Sequence, residues 1–178
     1  IGMEIHDLSS IVEKSGFSVF TGAIAGGGSV RGINAKNSAN KLTRKEIDKL
    51  TEHAKGIGAK GLAYIRFVDE APNCSFAKFM SEDELAAIYA KVGFEKGDVM
   101  LICADKDKVV LPTLGALRQI VARKLDIIPK GAFNFLWITE CPFFEWNEDT
   151  QHWDAMHHPF TMPMEECLPY LESDPGQV

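Results

Sequence analysis

The chain has 178 residues, of which 46% are apolar and 25% charged. These are globular proportions, so a disordered chain is excluded, and a chain of this length buries enough surface for a real core. Its net charge of −6 is unevenly spread. Residues 1–130 hold all 19 Lys and Arg against 16 Asp and Glu, or +3, while residues 131–178 hold nine acids and no Lys or Arg, or −9. Those acids must be solvated or face cations supplied from elsewhere, and the shift marks a boundary near Lys130. No apolar run reaches the length of a membrane span. The opening IGMEIHDLSS has neither the basic start of a signal peptide nor an initiator Met, so we expect a piece of something longer.

In chain order, Asp7 opens a short helix carrying Leu8, Ile11 and Val12. Ser18 to Ala25 reads as a strand, Gly26-Gly27-Gly28 as a tight turn and Ser29 to Ala35 as the returning strand. Thr43-Arg44-Lys45-Glu46 has the form of a capping box, followed by Ile47, Leu50 and Ala54 on one helical face. That helix should stop at Gly56 or Gly58. Leu62 to Val68 reads as a strand, and Asp69 to Ser75 as a loop. Ser81-Glu82-Asp83-Glu84 is a second capping box, with Leu85, Ile88, Tyr89 and Val92 inward. Val99 to Ala104 reads as a buried strand. Asp105 or Asp107 then opens a helix burying Leu114, Leu117, Ile120, Val121 and Leu125, with Pro112 in its first turns or in a separate turn before it. This order predicts an α+β fold, a two-layer sandwich with helices on one face of a mainly antiparallel sheet. In the acidic tail, Phe133 to Thr139 reads as an aromatic-rich strand. Pro142 to Trp146 and Trp153 to Met156 read as a hairpin.

The chemistry-bearing motifs are few. Gly56-Ile57-Gly58-Ala59-Lys60-Gly61 spells G-x-G-x-x-G, but a helix precedes it and a strand follows. A pyrophosphate would meet a helix C-terminus, so this is a helix stop. Gly26 to Ser29 lacks the Lys and spacing of a phosphate loop. Cys74, Cys103, Cys141 and Cys167 are widely spaced and predict reduced, mostly buried thiols. His152, His157 and His158 lie among Glu148, Asp149 and Asp154 in no standard metal-ligand spacing. A histidine there donates to a carboxylate ligand or packs among aromatics. Lys41, Arg44, Lys45, Lys49 and Lys60 make either a solvated helix surface or a weak nucleic-acid face.

Four stretches, FSVFTGAIAGGGSVRGI, LTRKEIDKLTEHAKGIGAKGLAYI, GDVMLICADK and LGALRQIVARKL, carry a resemblance. Residues 17–127 resemble the GAD domain inserted in bacterial-type aspartyl-tRNA synthetases. Archaeal Glu-tRNA amidotransferase carries a similar domain. GMEIHDLS, within residues 1–16, resembles the segment leaving the catalytic domain of those synthetases. Residues 128–178, with FNFLWITECPFFEWNEDTQHWDAMHHPFTMP, resemble the start of the chain's incomplete re-entry into that class II domain.

The resemblance implies a β-β-α-β-β-α-like sandwich, which agrees with the order of elements read above if Ala77 to Phe79 adds a short strand. It implies a homodimeric, cytoplasmic ligase that activates L-aspartate with ATP and Mg2+ and charges tRNA, with no membrane or DNA partner. None of the three class II signature motifs is present, so no catalytic, cofactor-binding or metal-binding residue is expected in these 178 residues. They would be mainly an accessory domain, inactive alone and needing no cofactor. The family's HHPFT motif falls on His157, His158, Pro159, Phe160 and Thr161, which implies aspartate contacts by His157 and, secondarily, His158. The alternative is a stand-alone GAD-type module binding tRNA or protein.

Overall fold

The computed structural model of the chain describes residues 2–139, 141–156 and 160–178. It forms two compact units, residues 1–130 and 131–178.

The first unit is built on a five-stranded, entirely antiparallel sheet in the order β1-β2-β5-β3-β4. The strands are β1 (Ile5–Asp7), β2 (Ser29–Ala35), β3 (Ala63–Arg66), β4 (Asn73–Cys74) and β5 (Val99–Asp105). Five helices, α1 (Ser9–Val12), α2 (Ser18–Ala25), α3 (Arg44–Ile57), α4 (Glu82–Val92) and α5 (Asp107–Leu125), pack against it.

The α+β class and the antiparallel sheet are as the sequence predicts, but the layering differs. Helices cover both faces, giving three layers. Val99, Leu101 and Cys103 of β5 pack with Ile47, Leu50 and Ala54 of α3 and with Leu114, Leu117 and Val121 of α5. The alternating residues Met100 and Ile102 pack with Leu8 and Val12, Phe20 of α2, Phe76, and Ile88 and Val92 of α4. A strand with two buried faces is apolar at every position, because successive side chains point to opposite faces. Gly32 of β2 faces Met100, and a Cβ there would stand 2.7 Å from the Met100 Cε.

Ser18 to Ala25 is a helix, so the predicted hairpin is absent. Phe17, Phe20 and Ile24 recur at helical spacing and pack into the same core. Phe20 meets Phe17 edge-on at 4.7 Å and Phe76 at 5.0 Å between ring centroids. Gly26 ends the helix through its N–H to the Gly22 carbonyl, and Gly27 takes φ +76°. A Cβ on Gly28 would overlap the Asp105 carbonyl oxygen. The glycines therefore bring the end of α2 against the end of β5, rather than turning a hairpin.

Thr43 stands at the start of α3 without a side-chain cap bond. Glu46 turns away to Lys49, at 2.8 Å, and to Lys124 of α5. Ser81 does form the full reciprocal box with Glu84. Gly58, at φ +118°, caps α3, so the glycine run is a helix stop. Ala77–Phe79 is a 3-10 turn rather than a strand, and β4 precedes it. Pro112 lies inside α5, six residues along, where it removes one helical N–H donor.

In the second unit, β6 (Phe144–Asn147) and β7 (His152–Ala155) form the predicted hairpin. Trp146 and Trp153 pair across it, with centroids 5.5 Å apart. The Asn147 carboxamide oxygen accepts the Asp149 and Thr150 N–H groups at 2.9 and 3.1 Å, which closes the turn. Phe133 to Thr139 is not a strand; no residue of it pairs with a strand among the described residues, and its Phe133, Phe135, Leu136, Trp137 and Ile138 side chains are exposed.

Candidate functional site

The first unit contains a cleft of about 740 Å³ beside α2. Its floor is Phe20 and Ile102, one wall is α2 from Ser18 to Gly26, and the other is Gly61, Leu62 and Ala63 with Ser75. The Ser75 hydroxyl is fixed by the Tyr64 N–H at 3.0 Å and the Tyr64 carbonyl at 3.1 Å. Lys60, Asp105 and Lys106 line one end. The Lys60 ammonium stands 3.9 Å from the Asp105 carboxylate, whose other oxygen accepts the Lys106 N–H at 2.8 Å. The size and the mainly apolar lining with few polar groups are those of a small-ligand site. The sequence hid it because its residues come from α2, β3, β5 and two loops.

A polar knot lies where β2 leaves the sheet. The Asp98 side chain is 1% exposed. It accepts the Asn34 side-chain amide at 3.0 Å and the Asn37 and Glu95 N–H groups at 2.9 and 3.0 Å. The Lys36 ammonium is 3.1 Å away. Burial alone would raise this acid, but those donors hold its carboxyl below the usual range. The knot is a structural clamp between β2 and the turn after α4. A second cluster joins Arg31 of β2 to Asp7 at 3.2 Å and to Asp107 of α5 at 3.7 Å. The Ser29 hydroxyl bonds Asp107 and accepts from Arg31 Nε.

The basic residues of the sequence reading are partly engaged. Lys49 pairs with Glu46, and Lys41 donates to the Leu125 carbonyl at 3.3 Å. Arg44 and Lys45 are exposed on α3. The cysteines are free. Cys103 is buried and pushed up to about 11, first by burial and then by Asp105. Cys74 and Cys167 are only partly buried and Cys141 is exposed, which corrects the expectation of mostly buried thiols.

In the second unit His152 is exposed, with Nδ1 3.4 Å from an Asp154 oxygen. Among the described residues no three His, Cys, Asp or Glu side chains gather to hold a metal ion. His157, His158 and Pro159 lie outside the described residues. Also among the described residues, no helix is long and apolar enough to cross a membrane.

Comparison with known families decides the lineage of the first unit. The GAD domain matches residues 20–114, more than half of the chain. The chain belongs to the GAD domain family. This GAD-family chain is also 52% identical to the aspartate–tRNA(Asp/Asn) ligase of Lachnoclostridium phytofermentans. It is 53% identical to the aspartate–tRNA ligases of Agathobacter rectalis and Ruminiclostridium cellulolyticum. In each case 99% of this chain is aligned, and it spans 30% of the relative's length.

Proposed function

We propose that this chain is the GAD-bearing segment of an aspartate–tRNA ligase, and that it serves the ligase as an accessory part rather than as its catalytic core. The observation that carries this reading is sequence identity of 52–53% that runs through both units, not the GAD domain alone. A free-standing GAD module would share only the first unit with these ligases.

On this reading the intact enzyme is a cytoplasmic homodimer that joins L-aspartate to tRNA at the expense of ATP, with Mg2+. The described residues supply no cluster for a metal ion, and no class II signature motif occurs in the sequence. On this reading ATP and Mg2+ are held by other parts of the ligase, and no step of their chemistry is assigned to this segment. Residues 1–16 and 128–178 would be the exit from, and re-entry into, the catalytic domain. His157 and His158 would reach aspartate there. A donor facing the side-chain carboxylate discriminates against asparagine, whose amide would set donor against donor.

Sequencing the DNA on either side of the coding segment tests the proposal. An open frame encoding class II motifs on both sides supports it. Stop codons immediately flanking the segment contradict it and favour the stand-alone module.

A further inference from the structure

We infer that the cleft beside α2 binds a small amphipathic carboxylate, with its apolar chain lying along α2 and its carboxylate between Lys60 and Lys106. This goes beyond the ligase reading and does not depend on it.

The cleft holds about 740 Å³, inside the range of small-ligand sites. Its long walls are apolar: Val19 and Ala23 on α2, Leu62 and Ala63 on the far side, over Phe20 and Ile102. Val19 is 52% exposed, so apolar surface already stands open to water here. Covering it is favourable in proportion to the area removed from water. Gly22 and Gly61 widen the space. A Cβ built on either meets no atom within 4 Å, and neither glycine has a positive φ. Among the described residues nothing crowds a side chain at these two places, and in mid-helix Gly22 costs about 1 kcal/mol relative to alanine. The polar end fixes the sign of the ligand. Two basic residues, Lys60 and Lys106, line it against one acid, Asp105, whose side chain is 14% exposed and already accepts the Lys106 backbone N–H. An added carboxylate restores balance, whereas a cation would crowd Lys60 and Lys106. The wall formed by the eight residues of α2 is about 12 Å long, which suits a fatty chain of medium length.

The test titrates the 15N-labelled 178-residue chain with three probes sharing one tail: octanoate, 1-octanol and octyltrimethylammonium. Octanoate should saturably shift the amides of Gly22, Gly26, Leu62 and Ala63 in the millimolar range or below. Octanol should bind at least fivefold more weakly and the cation should not bind. The double variant K60Q/K106Q should lose the preference for octanoate over octanol. Gly22→Leu fills the cleft and improves helix propensity, so it should unfold at the same or higher temperature and lose octanoate binding. Equal shifts by all three probes, no cleft shift at about 10 mM octanoate, or undiminished binding in a cooperatively folded Gly22→Leu chain would each overturn the inference.

Discussion

The Lys124 ammonium of α5 bonds the Glu46 carboxylate of α3, tying together the two helices that cover one face of the sheet. Lys49, one turn along α3, bonds the other oxygen. Together these bonds, Lys124 first, lower the Glu46 carboxyl to about 2. A carboxyl lowered on folding stabilises the protein above its unfolded value, and that contribution is lost as pH falls from about 4.5 towards 2. Glu46→Gln lacks that contribution. Melting temperatures at pH 6 and pH 3 should therefore fall further for the wild type than for Glu46→Gln. Equal falls would contradict the pairing in solution.

Asp98 should matter more for stability than any exposed acid. Asp98→Ala strands the Asn37 and Glu95 N–H groups and the Asn34 amide in a buried setting. Chemical denaturation should show a loss of roughly 3 kcal/mol, against almost none for Glu52→Ala on α3. A loss below about 1 kcal/mol would mean that water replaces the carboxylate at this knot.

Two glycines of the same stretch should respond in opposite directions. Gly28→Ala drives a methyl group into the Asp105 carbonyl and should cost at least about 3 kcal/mol. Gly22→Ala meets open space in mid-helix and should stabilise by about 0.5–1 kcal/mol. Denaturant midpoints of the two variants check both. Similar effects for the pair would contradict the helical assignment of residues 18–25.

Much of the fold was legible, and the exceptions have causes. The stripes Ile47-Leu50-Ala54 and Leu114-Leu117-Val121-Leu125 revealed α3 and α5 because each buries one face on the sheet. The unbroken apolar run Val99 to Cys103 already carried the signature of a strand covered on both sides, which implies three layers. The eight-residue α2 was read as a strand because Val19, Phe20 and Thr21 favour strands, and tertiary packing of Phe17, Phe20 and Ile24 overrode that preference. Phe133 to Thr139 has strand composition, but a strand needs a partner, and the described residues give it none. Of the proposed aspartate contacts nothing is tested by the fold, because His157, His158 and Pro159 lie outside the described residues. The cleft was not legible, because it exists only once α2, β3 and β5 have assembled.

The exposed run from Phe133 to Thr139 should be where protease acts first. It lacks secondary structure and offers large apolar side chains to chymotrypsin. Mass spectrometry of an early digest should show cuts at Phe133, Phe135, Leu136 or Trp137 before any within residues 29–125. Early cuts in β5 or α5 would contradict the first unit as a compact body.

On the proposed ligase reading, in which His157 contacts aspartate, His157→Ala in the intact enzyme should raise the Michaelis constant for aspartate about tenfold or more, the size expected for a charge-assisted hydrogen bond of about 1.5–3 kcal/mol. The constant for ATP should change little, and His158→Ala should do less to aspartate. Steady-state aminoacylation checks both. Unchanged aspartate kinetics in a folded His157→Ala enzyme would leave His157 as a packing residue.

The most direct test of the ligase assignment exchanges the aligned segment of the Lachnoclostridium phytofermentans enzyme for these 178 residues and measures aspartylation of tRNA. At 52% identity across the whole segment, the account predicts a chimera whose kcat/KM for aspartate stays within about tenfold of the parent, a cost of at most about 1.4 kcal/mol in the transition state. A chimera that folds and melts like the parent, yet shows no aspartylation above background, would contradict it.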